Sequence, residues 1–195
     1  MHAFTAVVVA GGAGRRLGGV DKPALVIGST TLLDRAIAAL AAAEPVVVVG
    51  PHRPTGREVR WAREDPPGAG PVAALAAGLT ALAATAPDTE VAVLAADLLA
   101  VGPGTIDRLR AALAGDPNAD GALLVDAGGH RQWLTGVWRL DALRAALPAD
   151  PVGAALRAVL GGLSVVEVTE LAGETADVDT PEDLARARRG ATDGG

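Results

Sequence analysis

Cysteine and tyrosine are absent from this chain of 195 residues, which holds only one phenylalanine, one methionine and three tryptophans. Without cysteine, neither a disulfide framework nor a metal site made of thiolates can form. Because aromatic side chains are so scarce, alanine, valine and leucine must fill the core. Half of the residues are hydrophobic, which indicates a globular chain long enough for one domain with a sizeable core.

Positive charge is also in short supply, since 17 lysines and arginines face 23 acidic residues and leave a net charge of −6. This balance disfavours a general nucleic-acid surface. The first apolar run is far shorter than the ~20 residues needed to span a bilayer, and it lacks the basic start of a signal peptide. We therefore expect a cytoplasmic protein that binds neither nucleic acid nor membrane.

Apolar runs alternate with amphipathic segments along the chain. Residues 46–49 and 91–95 predict buried strands, while the apolar spacing predicts helices over residues 31–43 and 152–160. No linker divides the chain. The pattern therefore predicts one α/β domain over residues 1–190 with a mostly parallel sheet, followed by a disordered tail over residues 191–195.

Residues 6–23 join an apolar β-branched run to a glycine-rich segment that carries Arg15, Arg16 and Lys22. Glycines let backbone N–H groups approach a ligand, and three cations favour an anion, so the segment predicts a phosphate-binding loop. A surface loop with incidental charges is the alternative. The segment lacks the Gly-Lys-Ser/Thr of a Walker A loop. Leu17 stands where a dinucleotide fingerprint needs its third glycine, which disfavours a hydride-transferring Rossmann enzyme.

Two aspartates are candidate metal ligands. Asp97 follows the predicted strand over residues 91–95 at its carboxyl end, where open α/β sheets bind ligands, and Mg²⁺ is often held by one or two carboxylates. Asp179 stands just before Thr180 and Pro181 at a predicted helix start, and a second carboxylate beside Asp97 would strengthen the binding of a divalent metal. The alternatives are a turn or N-cap role for Asp97 and a helix-start role for Asp179.

The opening loop resembles the start of the sugar-nucleotide and cofactor nucleotidyltransferases, which reads Leu-Ala-Gly/Ala-Gly-x-x-x-Arg-Met-Gly-x-x-Lys. The matching residues are Val9, Ala10, Gly11, Gly12, Arg16, Leu17 in place of methionine, Gly18 and Lys22. The double glycine most resembles the branch of molybdenum cofactor guanylyltransferases. The resemblance continues through residues 70–75, Asp97 and residues 177–184.

This resemblance implies a three-layer domain of the nucleotide-diphospho-sugar transferase type, with a Rossmann-like, mostly parallel sheet and helices on both faces. It also implies an enzyme that transfers GMP from GTP to the phosphate of molybdopterin, or molybdenum cofactor, with Mg²⁺ as cofactor and pyrophosphate as the second product. Cofactor-delivery or acceptor proteins are candidate partners.

The same resemblance assigns roles to individual residues. Arg16, Lys22 and Asp97 are the predicted catalytic residues, and Asp97 and Asp179 the predicted metal ligands. The predicted nucleotide-binding residues are Val9, Ala10, Gly11, Gly12, Arg16, Lys22, Asp65 and Asp97. Asp65 matches an aspartate that contacts guanine, whose N1–H and exocyclic amine suit a carboxylate; cytosine offers no such pair.

The sequence departs from the guanylyltransferase pattern at three places. Asp177 and Asp179 stand where asparagines are usual, and Asp-x-Asp is more frequent in relatives that transfer a cytidylyl group from CTP. Leu98 follows Asp97 without the usual nearby proline, which leaves a degenerate, non-catalytic nucleotide-binding module as an alternative. Trp133 lies in the acceptor segment near the usual position of a proline, where it could stack on a pterin or serve simply as core.

Overall fold

The computed structural model describes residues 3–11, 19–86, 89–171 and 173–192. Its strands are β1 Phe4–Val9, β2 Val26–Ile27, β3 Thr30–Thr31, β4 Ala43–Val49, β5 Arg60–Ala62, β6 Glu90–Ala95, β7 Gly121–Val125, β8 Arg131–Arg139 and β9 Val165–Thr169. Its α-helices are α1 Leu32–Ala39, α2 Pro71–Ala81, α3 Pro103–Gly115, α4 Leu140–Ala146, α5 Leu156–Leu160 and α6 Pro181–Thr192. None of these helices is long and apolar enough to cross a bilayer.

Seven strands form one sheet in the order β5-β4-β1-β6-β8-β7-β9. Neighbouring strands run parallel except at β8, which is antiparallel to both β6 and β7. The strands β2 and β3 pair separately as a small antiparallel hairpin. The predicted mostly parallel sheet is therefore confirmed.

Two apolar cores lie on opposite faces of the sheet, because successive strand side chains point to opposite sides. Ala6 and Val8 of β1 belong to the core covered by α1 and α3. Val7 and Val9 belong to the core covered by α2, α4 and α5. Helices thus cover both faces, as the predicted three-layer architecture requires.

The first long helix is shorter than predicted. The expected helix over residues 31–43 ends at Ala39, and Ala43 already pairs with Phe4 as the first residue of β4. Pro45 lies inside this strand rather than ending a helix. The strand tolerates it because the β1–β4 register is irregular there and β5 pairs only with residues 47–49, so the missing N–H breaks no ladder bond.

The helix predicted over residues 152–160 is also shorter, since α5 begins at Leu156. Gly153 adopts a φ of 68°, which is outside the helical region and costs glycine little. Its N–H donates a hydrogen bond of 2.8 Å to the carbonyl of Ala69. The segment before α5 therefore braces the loop that precedes α2.

Gly78 brings α2 close to the sheet. A Cβ atom built on this residue would lie 2.5 Å from a methyl group of Val7 and 3.1 Å from one of Val49. Both valines are fully buried and have little room to move within the sheet. The absence of a side chain at Gly78 therefore sets the spacing between α2 and the strands that it covers.

We predict that Gly78→Ala lowers the free energy of unfolding by about 1–3 kcal/mol, because the added methyl group overpacks the core. Urea unfolding of the two proteins measures the change. Gly104→Ala on α3 is the control, since a Cβ there meets no atom within 4 Å. Equal stability of Gly78→Ala and wild type would contradict the close approach.

Candidate functional site

A crevice of about 710 Å³ lies at the carboxyl ends of β1, β4 and β6. The loops that follow these strands form its walls together with the start of α2, as expected for an open α/β sheet. Its lining includes Val9, Gly11, Lys22, Arg53, Glu64, Gly68, Asp97, Leu134 and Asp179. The crevice therefore gathers most of the predicted site.

Lys22 is one of the cations that line this crevice. It begins a short 3₁₀ helix, Lys22–Ala24, in which Pro23 is buried. Its Nζ atom makes an ion pair with Asp179 and lies 3.7 Å from Oδ2 of Asp97. The side chain is only 16% exposed. The structure thus joins the predicted phosphate-binding lysine to both predicted metal ligands.

Backbone pairing explains why residues so far apart in sequence meet here. The N–H of Ala96 donates to the carbonyl of Val9 over 3.0 Å, which places the end of β6 beside the start of the opening loop. Leu98 then forms an isolated antiparallel bridge with Asp177, and the N–H of Leu99 donates to the carbonyl of Ala176 over 3.0 Å. The segment before α6 is thereby docked against the turn that carries Asp97.

Asp97, Asp177 and Asp179 form a cluster in which one carboxylate oxygen from each lies within 4.8 Å of the others. Val178 between the last two is fully buried, so Asp177 and Asp179 share the opposite side of an extended segment. That alternation could have identified Asp177 in the sequence as a third candidate ligand. The three oxygen donors suit a hard cation such as Mg²⁺.

The neighbouring carboxylates of this cluster change the pKa of Asp177. Partial desolvation raises the pKa of the Asp177 carboxyl above its usual value, and the negative charges of Asp179 and Asp97 raise it further. The positive charge of Lys22 acts in the opposite direction. Repulsion between like charges is what a bound cation relieves.

Glu174 holds the segment that carries the last two aspartates. Its carboxylate accepts two hydrogen bonds from the guanidinium of Arg108, at 2.9 and 2.7 Å, and others from the Thr105 hydroxyl and the Leu171 N–H. The hydrogen bonds from the Arg108 guanidinium, helped by those from Thr105 and Leu171 and by the charge of Arg108, lower the pKa of Glu174 to about 2 against the opposing effect of burial. This clamp between α3 and the segment after β9 was not predicted from the sequence.

The start of the opening loop lies where the resemblance placed it. Val9 and Gly11 line the crevice, and Ala10 is buried with its N–H donating to the carbonyl of Val49 over 2.8 Å. Gly12 and Arg16 lie outside the described residues. The roles of these residues in binding a nucleotide stay predictions.

Arg53 links both sides of the opening loop, and no motif in the sequence identifies it as part of the site. Its guanidinium donates to the carbonyl of Ala10 over 3.2 Å and pairs with the carboxylate of Asp21, with Nε 2.8 Å from Oδ2. A planar guanidinium is suited to such a forked contact. Arg53 therefore ties the residue before Lys22 to the end of β1.

Glu64, rather than its neighbour Asp65, points its carboxylate into the buried part of the site. Glu64 lines the crevice and is 9% exposed, whereas Asp65 is exposed and is not among the lining residues. Oε1 of Glu64 accepts a hydrogen bond of 3.0 Å from the N–H of Gly68. Sequence reasoning selected Asp65 through the resemblance and passed over Glu64; the role of Asp65 stays a prediction.

The predicted acceptor segment reaches the crevice through Leu134 of β8. Trp133 beside it is half-buried and packs against the core under α2, α4 and α5. The guanidinium of Arg131 lies over its ring, 5.5 Å from the centroid. Trp133 thus has a packing role in the fold, and stacking on an acceptor stays a prediction.

Comparison with known proteins agrees with this geometry. Residues 6–167 match the family model of the MobA-like NTP transferase domain. A curated molybdenum cofactor guanylyltransferase from Nitrobacter hamburgensis is 32% identical over 97% of this chain and 95% of its own length.

Solved structures share the fold at lower identity. Molybdopterin-guanine dinucleotide biosynthesis protein A from Archaeoglobus fulgidus superposes with a TM-score of 0.69 at 19% identity, covering 97% of this chain and 100% of its own. A 2-C-methyl-D-erythritol 4-phosphate cytidylyltransferase from Thermus thermophilus gives 0.68 at 23%, covering 98% and 100%. The fold is therefore shared by proteins named for different nucleotides.

We predict that Glu174→Gln lowers the free energy of unfolding at pH 7 by roughly 2–3 kcal/mol, because the ionised carboxylate that pairs with Arg108 is lost. The native pKa of about 2 lies below the ordinary 4.5, so the stabilisation is complete above pH 4.5 and is lost as the pH falls toward 2. Urea unfolding measured between pH 7 and pH 3 should show that the difference in free energy of unfolding between wild type and Glu174→Gln becomes smaller as the pH falls. Glu58→Gln at an exposed position is the control, and a pH-independent gap would contradict the clamp.

Proposed function

Since the chain belongs to the family of MobA-like NTP transferases, we propose that it transfers GMP from GTP to the phosphate of molybdopterin. A phosphate oxygen of the acceptor attacks the α-phosphorus of GTP, and the bond from that phosphorus to the bridging oxygen breaks as pyrophosphate leaves. The acceptor oxygen is already anionic, so no general base is required. A cytoplasmic location and protein partners that deliver or accept the cofactor stay predictions of the sequence.

The observation that carries the proposal is the contact of Lys22 with Asp97 and Asp179 inside the crevice. A nucleotidyl transfer needs a grip on the triphosphate and a cation that bridges its oxygens. Lys22 supplies a point charge for the phosphates beside the backbone of Gly11. Asp97 and Asp179 pair with this charge. Arg16 is predicted to add a forked contact to the same phosphates.

The carboxylates of Asp97, Asp177 and Asp179 fit Mg²⁺ by donor type and by their mutual distance within 4.8 Å. When bound, the ion would neutralise negative charge on the transferring phosphate. Asp97 follows β6 and Asp179 precedes α6. The two carboxylates therefore come from two separate segments of the chain. The hydrogen bonds from Arg108 to Glu174 hold the segment that leads to Asp179 against α3.

The alternative nucleotide is CTP, and one observation favours it. Asp177 and Asp179, the pair more frequent in cytidylyl-transferring relatives, both belong to the carboxylate cluster. The curated relative named above as a guanylyltransferase supports GTP. We keep GTP as the proposal because the double glycine of the opening loop agrees with it.

We predict that Asp97→Asn lowers the rate of pyrophosphate release from GTP and molybdopterin by about 100-fold or more. The substitution removes a carboxylate ligand of the cation whose positive charge would stabilise the transition state. A coupled pyrophosphate assay at saturating Mg²⁺ measures it. Asp107→Asn, at an exposed position of α3, should retain the wild-type rate. Full activity of Asp97→Asn would rule out this site for the reaction.

We also predict that GTP with Mg²⁺ raises the melting temperature of the wild type more than CTP or ATP does at the same concentration. A nucleotide at about 100 times its Kd adds about 2.7 kcal/mol of stability, so the difference is measurable by thermal shift. Omitting Mg²⁺ should reduce the effect. A larger shift with CTP would replace the guanylyl assignment by the cytidylyl one.

A further inference from the structure

Arg53 lines the crevice, and its guanidinium contacts both ends of the opening loop. The side chain is 11% exposed. Nε and one terminal nitrogen donate to the two carboxylate oxygens of Asp21. The other terminal nitrogen donates to the carbonyl of Ala10 over 3.2 Å and to that of Pro51 over 2.9 Å. One side chain therefore joins the end of β1 to the residue before Lys22.

The backbone at the end of β4 places Arg53 over the loop. Gly50 has a φ of 148°, and a Cβ atom built on it would lie 2.7 Å from the carbonyl oxygen of Ala10. A residue with a side chain does not fit at this distance or at this φ. The chain can thus turn closely across the end of β1 and bring Arg53 within hydrogen-bond distance of Ala10.

The contact with Ala10 also orients the next residue. Ala10 and Gly11 share one peptide unit, which is planar, so a fixed carbonyl of Ala10 fixes the direction of the Gly11 N–H. The N–H of Ala10 is already used, since it donates to the carbonyl of Val49 over 2.8 Å. Gly11 lines the crevice, and backbone N–H groups in such loops can donate to phosphate.

Asp21 is diverted from the role that its position favours. It is the N-cap residue of the short helix Lys22–Ala24, where an aspartate commonly accepts a backbone N–H of the helix. Its side chain makes no such bond, and both of its oxygens accept from Arg53 instead. The ion pair therefore holds the backbone directly before Lys22, whose side chain lines the crevice.

Building on the phosphate-binding role in the proposed function, we propose that Arg53 is a positioning residue for the triphosphate of the nucleotide. Through Asp21 it sets the place of Lys22. Through Ala10 it sets the direction of the Gly11 N–H. Arginine suits this task because its planar guanidinium can donate to two partners at once in fixed directions. Groups that are held in place before the ligand arrives lower the entropic cost of binding it.

The test is isothermal titration of the full chain with inorganic tripolyphosphate and with GTP, both in Mg²⁺. Arg53→Gln should bind each ligand about 10-fold more weakly than wild type. Arg53→Lys should recover only part of this loss, because a lysine cannot serve both partners. Asp21→Asn should lose less than Arg53→Gln, since the contact with Ala10 remains. The double variant should lose no more than Arg53→Gln, because the two residues act through each other.

Arg57→Gln is the matched control. Arg57 lies in the same connection between β4 and β5, and it donates to the carbonyls of Leu40 and Ala43 and to the carboxylate of Glu44. None of these partners belongs to the opening loop, so this variant should bind tripolyphosphate and GTP as wild type does. Thermal unfolding of each variant checks that it is folded.

Steady-state kinetics separate positioning from a loss of folded protein. In the pyrophosphate assay, Arg53→Gln should raise the KM for GTP and leave the KM for molybdopterin unchanged. A merely structural role would lower kcat, because less enzyme is folded, and would leave both KM values as they are.

Three outcomes would overturn the inference. The first is wild-type affinity for tripolyphosphate in Arg53→Gln, and the second is an equal loss in Arg57→Gln. The third is tighter binding by Asp21→Asn at high salt, where general charge effects are screened, because Arg53 would then be a phosphate ligand that Asp21 restrains. A wild type that binds tripolyphosphate but releases no pyrophosphate would remove the proposed function, and the tripolyphosphate titrations would still decide the role of Arg53.

Discussion

The crowding of three carboxylates around one lysine is the constraint on which the site depends. With oxygens of Asp97, Asp177 and Asp179 within 4.8 Å of one another, each fully charged pair repels by about 3.5 kcal/mol or more at an effective dielectric constant of about 20. The ion pairs of Lys22 offset part of that repulsion, and a divalent cation would offset more. The fold must hold these groups together against their mutual repulsion, so their supports matter as much as the ligands themselves.

The supports come from separate parts of the chain. The pairing of β1 with β6 fixes where Asp97 leaves the sheet. The bridge from Leu98 to Asp177 fixes the second segment against the first, and Glu174 anchors that segment on α3 through Arg108. Arg53 closes the other side by joining the two ends of the opening loop. Contacts from several distant segments of the chain, rather than one loop, therefore determine the geometry of the crevice.

Local patterns in the sequence were enough to predict an α/β domain with a mostly parallel sheet. The resemblance added its three layers and the grouping of Lys22, Asp97 and Asp179. What local patterns could not predict are partnerships between residues distant in sequence, such as Glu174 with Arg108 or Arg53 with Asp21, because each is an ordinary charged residue until the fold brings it to its partner. The distinction between Glu64 and Asp65 depends on burial, which adjacent carboxylates do not reveal. Helix α1 ends earlier than its apolar spacing predicts because Ala43 pairs with Phe4 in the sheet. Helix α5 begins later than predicted because Gly153 has a φ of 68°, outside the helical region.

The reversed strand β8 of the seven-stranded sheet brings a different kind of connection to the edge of the crevice. Because β8 runs opposite to its neighbours, its first residues, rather than its last, reach the crevice, and the β7–β8 hairpin lies at that same edge. A hairpin can change in length and composition without disturbing the parallel strands that carry the opening loop and Asp97. Changes in the β7–β8 hairpin can therefore reshape this edge of the crevice while the strands that lead to the opening loop and to Asp97 stay in place.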